Sequence, residues 1–243
     1  MYAMKANFFP AQGEHENYIG KADITVGNAI RINNISVFEQ EGKRGLSFAE
    51  FGPADNKRSY VIPASKEAYA AMLDVVSQAV DSEKHFAFTR GNYNVRLEVS
   101  GARVNEPYVD GRFSVAVGAL CTLNGISTRV VDYEKDGKAS KFVSVDLPTV
   151  TGEDGKAKRY TDREGKEHVN HQFEGLVDTW TDKEGTEQKR DYGLLLRNLV
   201  LGKRKELAEP SLDDKIAEGQ AQAKATDKES QPPVKEDDER LPR

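Results

Sequence analysis

Apolar residues alternate with polar or small ones along residues 21–51. Ile24 and Val26, Ile30 and Ile32, and Ile35 and Val37 set the pattern. Leu46, Phe48 and Phe51 continue it beyond the turn Glu41-Gly42-Lys43-Arg44-Gly45. A period of two with glycine punctuation predicts an antiparallel meander. Residues 53–59 read as a polar loop, and Tyr60-Val61-Ile62-Pro63 as a short extended piece that Pro63 restricts further. The period then changes. Tyr69, Met72, Leu73, Val76 and Val80 fall on one helical stripe. Ser65 suits an N-cap, and Glu67 stands in the first turn, where the helix dipole favours an acid. The spacing predicts a core-facing helix over 65–80, followed by strands at 85–88, 93–99 and 111–117.

The meander occurs twice. Residues 20–36, GKADITVGNAIRINNIS, lie on 111–127, GRFSVAVGALCTLNGIS, without a gap. Gly20/Gly111, Val26/Val117, Gly27/Gly118, Asn33/Asn124, Ile35/Ile126 and Ser36/Ser127 are identical, and Lys21/Arg112, Ile24/Val115 and Ile32/Leu123 are conservative. Self-similarity of this kind marks a repeated structural unit. Both copies then run through a further strand and a charged Gly turn to a third strand ending in proline, at Pro53 in one and Pro148 in the other. The expected fold class is α+β: two tandem small antiparallel sheet-plus-helix modules, 1–84 and 85–207, forming an intrachain pseudo-dimer.

After Pro148 the second copy departs. Residues 149–191 form a charged insertion with turn signals at Glu153-Asp154-Gly155, Arg163-Glu164-Gly165 and Lys183-Glu184-Gly185, which read as hairpin tips. A strand is expected over 172–180. Residues 191–202, with Leu194, Leu195, Leu199 and Val200, fit either a helix capped by Asp191 and ending near Gly202 or a buried strand. Residues 208–243 carry no aromatic residue, ten acids and six bases, with Pro at 210, 232, 233 and 242. Such a stretch buries too little apolar surface to offset its chain entropy. It reads as a disordered acidic tail, with at most a short helix over 211–225.

Composition narrows the functional classes. The chain has 243 residues, 35 Lys+Arg, 40 Asp+Glu and a formal net charge of −5; the tail holds −4 of it, so 1–207 is close to neutral. Basic residues must therefore cluster locally if they matter. The one cysteine, Cys121, excludes an intramolecular disulfide and a Cys-cluster metal site, and on its strand it reads as a small buried hydrophobe. No run of 18 apolar residues occurs, and the opening residues lack an apolar signal-peptide region. The expectation is a cytoplasmic protein with no membrane contact.

The meander with Ala22-Asp23-Ile24-Thr25-Val26, Ile35-Ser36-Val37-Phe38, Gly42, Gly45-Leu46-Ser47-Phe48 and Pro53, then Val61-Ile62-Pro63 and one amphipathic helix, resembles the SpoVG (stage V sporulation protein G, septation regulator) family. The resemblance covers about 2–80 closely and 93–148 more loosely. It implies a small regulator of bacterial or phage type that binds DNA and RNA. Where family members carry His before the "I-x-V" strand, this chain has Asn33 and Asn124. Most members are single modules that dimerise; a tandem pair would hold both halves on one chain, at millimolar effective concentration or above.

Basic residues with aromatic neighbours are the candidates for nucleic-acid contact, since Arg and Lys neutralise phosphates and Tyr stacks on bases. They are Lys43-Arg44, Lys57-Arg58 with Tyr60, Arg90 and Arg96 with Tyr93, Lys156, Lys158 and Arg159 with Tyr160, Lys189-Arg190 with Tyr192, and Lys203-Arg204-Lys205. The site expected from these is Lys57, Arg58, Lys156, Lys158, Arg159, Tyr160, Lys203, Arg204 and Lys205. Binding by a near-neutral chain should be weak and salt-dependent. His168 and His171 point to opposite faces of a strand and do not chelate. No nucleophile elbow, phosphate loop or zinc motif occurs, so no catalytic residue, metal or cofactor is expected. The alternatives are a protein-interaction module using a sheet edge or the 149–191 insertion, and a phage-type single-stranded-DNA-binding protein with an acidic regulatory tail.

Overall fold

Residues 1–13, 15–101, 111–152, 154–162 and 164–208 are described by a computed structural model. Among the described residues the architecture is α+β, with two helices and several antiparallel sheets. All but the first residue of the expected tail, including the short helix over 211–225, lies outside the described residues. Among the described residues no helix is long and apolar enough to cross a membrane.

The first meander forms β1 (Met4–Pro10), β2 (Tyr18–Val26), β3 (Ile30–Gln40) and β4 (Lys43–Ser47). The tiny hairpin of β5 (Glu50–Phe51) and β6 (Arg58–Ser59) follows, then β7 (Val61–Pro63). Helix α1 (Lys66–Asp81) starts where the sequence places it, with the Ser65 Oγ accepting the Ala68 N–H at 3.1 Å. Its buried stripe of Ala68, Met72, Val75, Val76 and Ala79 covers one face of the first sheet. Arg44 pins the helix from β4, donating to Glu39 at 2.7 Å and to both oxygens of Asp81 at 2.9 and 2.7 Å. The chain then returns as β8 (Phe86–Thr89), antiparallel to β1. The first sheet thus runs past the boundary expected at residue 84.

The second meander is β9 (Leu97–Gly101), β10 (Gly111–Val117), β11 (Cys121–Lys135) and β12 (Lys138–Asp146). The strand expected over 93–99 begins only at Leu97. Asn92, just before that stretch, is held by the N-terminus: Ala3 N–H donates to the Asn92 carbonyl and Asn92 N–H to that of Met1, both at 3.0 Å. The insertion follows as the hairpin β13 (Arg159–Thr161) and β14 (Glu167–Val169), the short β15 (Phe173–Gly175), and the hairpin β16 (Val177–Thr181) and β17 (Glu187–Asp191). The single strand expected over 172–180 is thus two, because the chain changes sheets at Leu176. Residues 192–208 are helix α2 (Tyr192–Ala208), which settles the helix-or-strand alternative. Asp191 caps it, accepting the Leu194 N–H at 2.8 Å, and Gly202 lies within it rather than at its end.

Two strands leave their own half. β7, from the first half, pairs with the start of β11 through Val61↔Leu123 and Pro63↔Cys121. β15, from the second half, pairs with the start of β3 through Phe173↔Ile32 and Gly175↔Ile30. Ile30 and Ile32 are the positions that align with Cys121 and Leu123 in the duplicated window. Both crossings depend on the same β-bulge. In β3 the register slips between Ala22 and Ile24, setting Asn33 and Asn34 against Asp23; in β11 it slips between Phe113 and Val115, setting Asn124 and Gly125 against Ser114. The second bulge residue is left-handed in each case, Asn34 at φ 61° and Gly125 at φ 83°. A Cβ at Gly125 would also press on the Tyr60 ring at 2.8 Å. The first bulge residue holds the incoming strand. Asn33 donates its N–H to the Gln172 carbonyl at 2.8 Å and its amide to that of His171 at 2.9 Å. Asn124 donates its N–H to the Tyr60 carbonyl at 2.7 Å and its amide to that of Ser59 at 3.0 Å.

These registers correct the alignment of the two prolines. Leu46 pairs with Val37 and Val145 with Thr128, and Tyr60 N–H reaches the Ala49 carbonyl as Gln172 N–H reaches that of Pro148. Pro148 therefore corresponds to Ala49, and Pro53 lies in the loop beyond. Both halves share one buried cluster, to which β15 contributes Phe173 and β7 contributes Val61. Replacing Asn33 or Asn124 by Ala removes the side-chain donor from the half-buried His171 or Ser59 carbonyl and should cost about 0.5–1.5 kcal/mol each. Phe173→Ala should cost about 3–5 kcal/mol. Urea unfolding followed by circular dichroism measures both, and a single transition is expected because the core is shared.

Candidate nucleic-acid interface

Each crossing strand is preceded by an arm that lies over the opposite half. The first arm, 48–60, carries Lys57, Arg58 and Tyr60 onto the open face of the second sheet. There it bounds a groove of about 1220 Å³ lined also by Phe51, Arg112, Ser114, Asn124 and Ser127. Tyr60 stacks on Phe51 with ring centroids 4.6 Å apart and planes 24° apart. The two acids of the groove are engaged: Glu50 lies 3.9 Å from Lys57, and Asp146 accepts from Arg129 at 2.7 Å. Arg58 and Arg112 have no acidic partner among the described residues. The groove thus presents two uncompensated guanidinium groups beside an aromatic pair.

The second arm, 147–172, is longer because the β13–β14 hairpin is built into it. Its base is laced by Val150 N–H to the Asn170 carbonyl, Lys158 N–H to that of Val150 and Asn170 N–H to that of Lys158, each at 2.8 Å. It brings Lys158 close to Lys21 on the open face of the first sheet. The Lys21 ammonium is pushed below its usual range by burial first and by the Lys158 charge second. Its partners are neutral: it donates to the Ser36 Oγ at 2.8 Å and lies 5.9 Å from the Tyr18 ring centroid. Tyr160 stands near Arg31 and Glu174, its hydroxyl pKa raised mainly by burial. Arg31 and Glu174 pair across the halves at 3.3 Å. Asp23, the other acid on this face, is held above the ordinary carboxylate range by burial, against the Asn34 N–H it accepts at 3.0 Å.

The three turns read from sequence are hairpin tips, and two of them share an aspartate-centred design, whereas in the first Gly152 takes the place of that aspartate and Asp154 accepts the Lys156 N–H at 3.1 Å. Asp162 accepts backbone N–H groups from Glu164 and Lys166, as Asp182 does from Glu184 and Thr186. His168 meets Asp162 at 2.6 Å and stacks on Tyr160, so its ring is bound into the hairpin. The hydrogen bond to His168 is the main cause holding the Asp162 carboxyl below its usual range.

The expected site residues thus divide. Lys57 and Arg58 gather with Arg112 on the second sheet, and Lys158 and Tyr160 with Lys21 and Arg31 on the first. Lys156 is exposed at the tip of the second arm, and Arg159 is tied to Glu167 at 2.7 Å. Lys203, Arg204 and Lys205 lie on α2, which does not line the groove. Lys203 pairs with Glu206 at 2.9 Å and Arg204 is only 9% exposed, which withdraws its guanidinium from a surface ligand. Among the other basic groups, Arg44 is fixed by Glu39 and Asp81, and Arg190 lies over the rings of Trp180 and Tyr192 at 5.6 and 5.9 Å. Basic runs in the sequence do not single out Lys21 and Arg112, although their conservative pairing in the duplicated window was the available signal.

No family model, curated protein or solved structure matches this chain.

Cys121 sits on the seam between the halves, opposite Pro63, and burial pushes its thiol up to about 12. The native protein should be inert to Ellman's reagent at mildly alkaline pH. One thiol per chain should react after denaturation, and Asn124→Ala should speed the native reaction by loosening β7 from β11.

Proposed function

We propose that this chain is a non-enzymatic nucleic-acid-binding regulatory protein, built from two SpoVG-like modules that form an intrachain pseudo-dimer. One observation carries this reading. The arm of each half delivers basic residues to the duplicated basic position of the other: Lys57 and Arg58 to Arg112, and Lys158 to Lys21. Each cluster includes a tyrosine, Tyr60 or Tyr160, and each lies on an open sheet face. Uncompensated cations beside accessible rings suit a polyanion that also offers flat bases. The bulge and the reciprocal strands support the pseudo-dimer, because equivalent residues make equivalent bonds in both directions. The cations of both faces then act in one complex without any assembly step.

A protein-interaction module is the second reading. Val177, Trp180 and Leu194 are exposed on and beside the β16–β17 hairpin, which is the kind of apolar feature a protein partner covers.

Fluorescence anisotropy of the full chain with labelled DNA and RNA oligonucleotides, at low and moderate salt, tests the proposal. Micromolar or tighter binding that weakens with salt is expected. The double variants Arg58→Ala/Arg112→Ala and Lys21→Ala/Lys158→Ala should each weaken it. Each should also flatten the salt dependence by about one unit of slope for every phosphate no longer neutralised. Absence of binding to every oligonucleotide at low salt overturns the proposal in favour of the protein-interaction reading.

A further inference from the structure

The two open sheet faces differ. On the first sheet, register places Phe88 opposite Lys5 and Phe86 opposite Asn7 across β8–β1, and Phe9 opposite Lys21 across β1–β2. Ala87 and Ala6, which alternate with these residues, are buried beneath α1. The three rings therefore stand on the uncovered face, and they are 40–51% exposed. Tyr93 extends the row, stacking on Phe88 with centroids 6.5 Å apart and planes 24° apart. The cations between the rings have no acidic partner among the described residues: Lys5 donates to the Asn28 side-chain oxygen at 2.7 Å, Lys21 donates to the Ser36 Oγ beside the Tyr18 ring, and Lys158 lies near Lys21 on the arm. The second sheet has Glu98 and Ser100 on β9 where the first has Lys5 and Asn7, as their pairing with Ala116 and Ser114 shows. Among the described residues it has no strand in the place of β8.

We propose that the open face of β8, β1 and β2 binds single-stranded nucleic acid, with bases stacked on Phe88, Phe86 and Phe9 and phosphates met by Lys5, Lys21 and Lys158. This rests on the nucleic-acid reading and adds strand type and a division of labour between the halves. Rings standing on a sheet reach the flat face of a base only when that base is unstacked, which a duplex does not offer. Successive outward positions on a strand are about 7 Å apart, room for one base per ring. Charge also selects the occupant. A second copy of the chain would bring the same lysines against themselves in a two-fold contact, whereas a polyanion complements them.

The test uses the full chain and the variants Phe86→Leu/Phe88→Leu, Phe9→Leu and Lys5→Gln. Leucine keeps the apolar bulk of an exposed position and removes the ring, and thermal melts check that the fold is retained. Anisotropy is read with labelled oligothymidylate, oligouridylate and a short duplex. Single strands should bind more tightly than the duplex. The double leucine variant should lose about tenfold or more in single-strand affinity with its salt slope unchanged, and Phe88→Trp should retain affinity. Lys5→Gln should lower the slope instead. Equal binding of single strands and duplex, indifferent to the leucine changes, overturns this inference and leaves the nucleic-acid reading standing. Absence of all binding overturns both. Sedimentation showing a dimer that the leucine changes dissociate, with nucleic-acid affinity unaltered, gives the face to a second copy and overturns it too.

Discussion

Asn33 and Asn124 hold the molecule together at the one place where each half lacks a strand of its own. A β-bulge ordinarily bends a strand and ends its pairing on one side. Here it sits on β3 and β11 at the step between two partners: β15 then β4 on one, β7 then β12 on the other. The bulged asparagine turns its main-chain and side-chain donors outward, and the strand that fills the gap comes from the other half. These bonds satisfy polar groups that the seam takes out of water and that would otherwise lack partners there. The apolar part acts in the same direction, since Phe173 and Val61 belong to a core shared by both sheets.

The seam also determines where the surface chemistry lies. A strand that must reach the far sheet draws the residues before it across that sheet's open face. The arms 48–60 and 147–172 lie over open sheet faces for this reason, and their basic residues meet cations of the opposite half. Neither cluster exists within one half alone. Glycine at 118 serves the same close contact between distant segments: its φ is +52°, and a Cβ there would collide with the Tyr2 side chain.

Much of the local structure was legible because local rules decide it. Helix α1 with its Ser65 cap, the hairpin tips around Asp154, Asp162 and Asp182, and the burial of Cys121 follow from periodicity, capping and turn chemistry. Of the expected α1 stripe only Met72 and Val76 are fully buried, beside Ala68, Val75 and Ala79, while Tyr69, Leu73 and Val80 flank them. The crossings were not legible. β7 and β15 have three residues each, too few for a period to register, and their partners are remote in sequence. Val61-Ile62-Pro63 was readable as extended but not as belonging to the other sheet. Matching Pro53 with Pro148 failed for a related reason: the arms differ in length, so prolines align only by eye, whereas Leu46 and Val145 align by register. The repeated Asn33/Asn124 pair was visible as an identity, yet only the bulge shows why the amide is needed. The basic clusters were half visible, as runs on the arms. Their partners Lys21, Arg31 and Arg112 are single residues on alternating strands and form a cluster only once the arms have crossed.

The two open sheet faces differ although the strands beneath them share one register pattern. The bulged asparagine is the same in both halves, and Asn33 and Asn124 each donate to two successive carbonyls of the incoming strand. The open faces are less alike. Lys5 has its counterpart in Glu98, β8 adds a row of rings to one side only among the described residues, and the second arm is longer than the first by the β13–β14 hairpin. On the proposed reading of an intrachain pseudo-dimer, a mutation alters one face and not its mate, whereas in a dimer of identical chains every change is made twice. The cation-and-ring surface could therefore concentrate on the first sheet while the groove on the second kept two guanidinium groups beside one aromatic pair.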